Sequence, residues 1–169
     1  MRKLNVVETR FKKEEESGIE IIMHLAKGQN PIACSRAFDY VRKQKESKSV
    51  ILILDDLHED SEVITWYYDA DYEFLNSEET KQIIVGGKRY MDTVVRLLIA
   101  GVPKEKIVYA RDEIEAVSNL ETSDIEKVFI LYDLYSLELC ENVKNKVKEK
   151  IKIQKKMEEN NNEDRSFVS

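Results

Sequence analysis

The sequence predicts an α/β domain of Rossmann-like, three-layer architecture, a mostly parallel sheet with helices on both faces. Three observations carry that prediction. Five short β-rich runs alternate with stretches whose apolar residues recur at helical spacing. Two of the runs, Val50-Ile51-Leu52-Ile53-Leu54 and Val128-Phe129-Ile130-Leu131-Tyr132, are continuously apolar, as strands buried on both faces of a parallel sheet are. Helix start and stop signals fall between the runs: Asn30-Pro31 opens a helix, and Gly101 with Pro103 closes another.

Taken in order, residues 1–18 read as a polar lead-in or the remnant of an inter-domain linker, ending in the charged run Lys12-Lys13-Glu14-Glu15-Glu16-Ser17-Gly18, which is expected to break any strand there. Residues 19–157 form the α/β domain. Its first strand is Ile19–Leu25. A loop at 26–29 leads to Asn30, a helix cap, and Pro31, suited to the first helical position. Cys34, Ala37, Phe38 and Val41 then give an amphipathic helix to about Lys45. After the second strand comes an acidic loop, Asp55-Asp56-Leu57-His58-Glu59-Asp60, and then Thr65-Trp66-Tyr67-Tyr68-Asp69-Ala70-Asp71-Tyr72-Glu73. Lys81–Val85 is the third strand and stops at Gly86-Gly87. The helix that follows is expected to face the core with Met91, Val94, Val95 and Leu98. Lys106–Ala110 is the fourth strand, Asp112–Leu120 a short helix with acid in its first turn. The fifth strand is Val128–Tyr132, and a long helix from about Ser136 buries Cys140, Val143, Val147 and Ile151. Residues 158–169 are expected to be a disordered polar tail.

Composition narrows the function classes. The chain has 169 residues, 42% hydrophobic and 36% charged, which suits one globular domain. A net charge of −6 argues against nucleic acid as a partner. No apolar run is long enough to cross a bilayer and no signal peptide is evident, so a cytoplasmic location is expected. Cys34 and Cys140 lie far apart on apolar helix faces and read as buried reduced thiols.

Several groups carry possible chemistry. Gly86-Gly87 joins a strand to a helix, with Lys88 and Arg89 behind it: either a tight turn, or an anion site built on backbone N–H groups. The later glycine of the dinucleotide fingerprint is missing. Read as extended chain, Asp69, Asp71 and Glu73 share one face, where mutual repulsion would raise one pKa unless a cation or solvent relieves it. The acidic loop at 55–60 lacks the glycine and spacing of a calcium loop and reads as solvated; no metal site is expected. His24 reads as a core histidine, Arg96 as either a surface cation or an ion-pair partner. The lysine-rich helix from Lys144 to Lys156 reads as a solvated face. With no phosphate loop, zinc-ligand cysteines or nucleophile arrangement, the chain looks incomplete as an independent enzyme.

Ordered motifs over about residues 19–140 resemble the C-terminal domain of MurT-type Mur ligase family proteins. They are His24-Leu25-Ala26-Lys27-Gly28-Gln29-Asn30-Pro31, the stretch Thr65–Glu73, and Val85-Gly86-Gly87-Lys88-Arg89-Tyr90-Met91-Asp92 with Arg96-Leu97 and Ala100-Gly101-Val102. The resemblance implies a lobe of a larger ligase that pairs with a GatD-type glutaminase and amidates a lipid-linked peptidoglycan precursor, lipid II. It implies no cofactor in this domain, with ATP and Mg handled by a Mur ligase ATP-binding domain outside it. The catalytic aspartate implied for the family carries over to Asp69, with Asp71 second, to orient ammonia or the acyl acceptor. Lys27, Asn30, Gly86, Gly87, Lys88 and Arg89 would bind or steer anionic groups. A non-catalytic interaction module and a small-nucleotide binder at Gly86-Gly87 are the alternatives.

Overall fold

The computed structural model describes residues 11–27, 30–54, 65–133 and 136–166, with side chains as far as residue 160. A six-stranded sheet in the order β1-β2-β6-β3-β4-β5 forms the middle layer. The strands are β1 (Phe11–Glu16), β2 (Ile19–Leu25), β3 (Lys48–Ile53), β4 (Thr80–Val85), β5 (Ile107–Tyr109) and β6 (Lys127–Tyr132). β1 runs antiparallel to β2, and all the other pairings are parallel. The helices are α1 (Pro31–Lys43), α2 (Thr65–Asp69), α3 (Tyr90–Ile99), α4 (Glu113–Ser118) and α5 (Leu137–Ser166), with a 3-10 turn at Tyr72–Leu75.

Because successive side chains on a strand point to opposite faces, each central strand feeds two cores. Ile22, Val50, Leu52, Ile83, Val85, Phe129 and Leu131 meet α1, α2 and α3 on one face. Ile21, Met23, Ile51, Ile53, Ile84, Val128 and Ile130 meet α4 and α5 on the other. Val50–Ile53 of β3 are buried, as the unbroken apolar run predicts, and Lys48 and Ser49 at its start are buried as well. The predicted three-layer, mostly parallel α/β fold is therefore the observed one.

Four local expectations are corrected. The charged run at 11–16 is a strand, not a strand breaker. Ser17 (φ 53°) and Gly18 (φ 85°) make a two-residue hairpin turn that registers Glu16 opposite Ile19. An edge strand tolerates charge on its faces, and here Lys12 pairs with Glu141, Glu14 with Lys144 and Lys148, and Glu16 with Lys152, all on α5. The polar tail is also not irregular from 158, since α5 continues to Ser166.

On α3 the buried residues are Thr93, Val94, Arg96 and Leu97, while Met91, Val95, Leu98 and Ile99 are exposed. Helical spacing fits either face in so short a window. The stretch 65–73 is a helix and a 3-10 turn instead of extended chain. The acidic loop at 55–60 lies outside the described residues, as do Gly28 and Gln29.

Candidate functional site

The site grows from the aromatic residues of the 65–73 stretch, which act as anchors. Trp66 and Tyr67 on α2, and Ala70 and Tyr72 after it, are buried against the sheet and α1. The Tyr67 hydroxyl donates to the Leu54 carbonyl at 2.5 Å, and its ring stacks on that of Tyr72, with centroids 6.0 Å apart. Tyr72 also packs against Phe38 of α1 at 4.8 Å, and complete burial pushes its phenol pKa well up. With these side chains directed inward, Tyr68, Asp69, Asp71 and Glu73 are left at the surface.

Glu73 is claimed by Arg96. The guanidinium of Arg96, only 4% exposed, donates from Nη2 to a Glu73 carboxylate oxygen at 2.9 Å and holds that carboxyl below its usual range. The expectation of three carboxylates repelling one another on one extended face is thereby overturned. The helical turn separates Glu73 from the other two, and a buried cation satisfies it. Of the two readings left open for Arg96, the ion-pair partner is the observed one.

Asp69 and Asp71 share an open groove of about 680 Å³ between α1 and the α2 turn. Pro31, Ile32 and Phe74 give it an apolar lining; Ser35, Arg36 and Asp39 contribute polar groups. Asp39 is already neutralised by Arg42 and Lys43, each at 2.5 Å, and Arg42 in turn lies 4.4 Å from the Phe74 ring centroid. Among the described residues, neither Asp69 nor Asp71 forms an ion pair, and no cluster of metal-ligating side chains is present. Two solvent-facing carboxylates beside an apolar wall can accept hydrogen bonds from an amine, ammonia or a cationic side chain.

The other predicted site residues do not line this groove. Asn30 caps α1, its Oδ1 accepting from Ala33 N at 3.0 Å, with Pro31 directly behind it. Lys27 is exposed, at φ 38°, and its carbonyl accepts from the Cys34 thiol. Burial raises that thiol to about 12, and both cysteines are buried. Gly86 ends β4 where a Cβ would come within 2.9 Å of the Glu113 backbone, so the absence of a side chain there serves close packing of α4 on the sheet. Gly87 turns the chain at φ 95° toward α3; Lys88 is exposed and Arg89 pairs with Asp92 at 3.4 Å.

Fold and groove together define an α/β lobe that presents two carboxylates on the surface between its first two helices. The chain belongs to the MurT ligase C-terminal family, whose model matches residues 27–137. Among curated proteins it is similar to the lipid II isoglutaminyl synthase (glutamine-hydrolyzing) subunit MurT of Staphylococcus aureus (strain COL), with 32% identity over 108 residues. The Streptococcus pneumoniae (strain ATCC BAA-255 / R6) protein of the same description is 25% identical over 103 residues. These matches cover 64% and 61% of the chain, and the chain spans 23% of the length of each relative.

Proposed function

We propose that this chain is the C-terminal lobe of a MurT-like ligase and contributes to the ATP- and glutamine-dependent amidation of lipid II, working in the cytoplasm with a GatD-type glutaminase. The observation that carries the reading is the pair Asp69 and Asp71, exposed in one groove of a domain from this family and, among the described residues, not engaged in an ion pair. The names of the relatives, subunits of a glutamine-hydrolyzing synthase, support ammonia as the nitrogen source.

In this reading Asp69 accepts N–H hydrogen bonds from ammonia or the acceptor and orients it, while Asp71 adds negative charge beside it. The Mur ligase ATP-binding domain supplies ATP and Mg. Reconstitution with that domain and the glutaminase tests the proposal. Asp69→Asn, with folding intact, should lower the kcat of glutamine-dependent amidation by about 100- to 10,000-fold, and unchanged activity would remove Asp69 from the site.

A second reading, a non-catalytic interaction module, is favoured by one feature: Met91, Val95, Leu98 and Ile99 are four large apolar side chains exposed on α3. That reading predicts amidation unaffected by Asp69→Asn and lost when the α3 face is made polar.

A further inference from the structure

We infer that Arg96 and Ser35 are positioning residues for Asp69 and Asp71, an inference that rests on the groove's being the functional site. The helix α2 has five residues, too few to satisfy its own terminal carbonyls. Arg96 reaches across from α3 and supplies what is missing. Its Nε donates to the Tyr67 carbonyl at 3.0 Å and its Nη2 to the Ala70 carbonyl at 2.8 Å. Asp69 lies between those two carbonyls in sequence, so one planar guanidinium spans the backbone on either side of it.

Ser35 holds the next residue from the opposite direction. Its Oγ, on α1, accepts from the backbone N–H of Asp71 at 2.9 Å. The acidic turn is thus fixed by one residue from α3 and one from α1. The nearby ring of Tyr72, 5.1 Å from the guanidinium, and the carboxylate of Glu73 hold Arg96 itself. Lysine cannot replace it: an ammonium is a point donor without the fork needed to reach two carbonyls and a carboxylate in one plane.

Amide hydrogen exchange on the chain tests the clamp, and kinetics of the reconstituted ligase test its use. Arg96→Lys should speed exchange at residues 68–73 by about tenfold or more, with the β3 and β6 amides unchanged. In the ligase it should lower kcat by about 10- to 100-fold with KM for ATP unchanged. Ser35→Ala, a substitution at a half-exposed position that leaves the core intact, should show the same pattern more weakly, and it decides the matter if Arg96→Lys does not fold. Neither substitution should lower kcat further in an Asp69→Asn background, because a positioning residue acts through the group it positions.

Unchanged exchange at 68–73, or an undiminished further loss in the Asp69→Asn background, would overturn the inference. Full activity of Asp69→Asn itself would instead sink the reading of the groove as the site, while the exchange result still reports whether the clamp exists.

Discussion

Glu14 on the antiparallel edge strand accepts a 2.7 Å hydrogen bond from Lys144 on α5, a contact between residues 130 positions apart that fastens the hairpin to the far end of the chain. Lys148 donates to the other carboxylate oxygen. The two bonds lower the Glu14 pKa from 4.5 to about 2. A carboxylate whose folded pKa is depressed stabilises the fold above its unfolded pKa and loses that contribution as pH falls through the folded value. Glu14→Gln should therefore cost about 1 to 2 kcal/mol at pH 7, the value expected for a partly screened pair of charge-assisted bonds. The difference from the parent should shrink between pH 4.5 and 2, as read by urea unfolding across that range.

The two faces of α3 separate cleanly by substitution. Leu97 is fully buried beside Val94 in the core under α1 and α2, whereas its neighbour Leu98 is 45% exposed. Leu97→Ala should cost about 2 to 5 kcal/mol through lost burial and the cavity left behind. Leu98→Ser should stay within about 1 kcal/mol. Equal costs in denaturant melts would mean that the helix is rotated from the orientation described.

Much of the fold was legible because its signals are local. The limits of β2, the Asn30 cap and the apolar face of α5 each depend on residues within one or two turns of chain. The edge strand β1 was not, since its charges are compensated by Glu141, Lys144, Lys148 and Lys152, residues more than a hundred positions away. The stretch 65–73 misled for a different reason. Alternating aromatic and acidic residues suggest a strand, yet Trp66, Tyr67 and Ala70 are also spaced to bury one side of a helix, and over so few residues the two periods are indistinguishable. Asp69 and Asp71 were singled out as candidates from their sequence context, and the structure places both on one groove, but Arg96 was left undecided because two of its partners are backbone carbonyls, which carry no sequence signature.

Gly86 offers a test of the strand-to-helix turn. A methyl group there would lie 2.9 Å from the Cα of Glu113, a backbone atom that can move only if α4 moves. Gly86→Ala should therefore destabilise the fold by about 1 to 3 kcal/mol. Should the variant be as stable as the parent, α4 does not pack as closely on the end of β4 as the structure has it.

His24 tests whether the aromatic cluster at the β1 edge is closed to charge. Its ring meets Phe11 and Tyr40 edge-on, with centroids 5.2 and 5.5 Å away, and its Nδ1 is buried without a hydrogen-bond partner among the described residues. Burial lowers its pKa from 6.5 by disfavouring the imidazolium. The unfolded chain then takes up the proton first as the pH falls, so this histidine's effect is absent well above pH 6.5 and destabilises the fold progressively below it. His24→Phe keeps a ring among rings and removes the titration. The stability of the parent relative to this variant should fall between about pH 6.5 and 5 and change little from pH 7 to 8. Parallel pH profiles for the two proteins would show that the imidazolium is as well solvated in the fold as in the unfolded chain, and that the cluster around Phe11 and Tyr40 admits water.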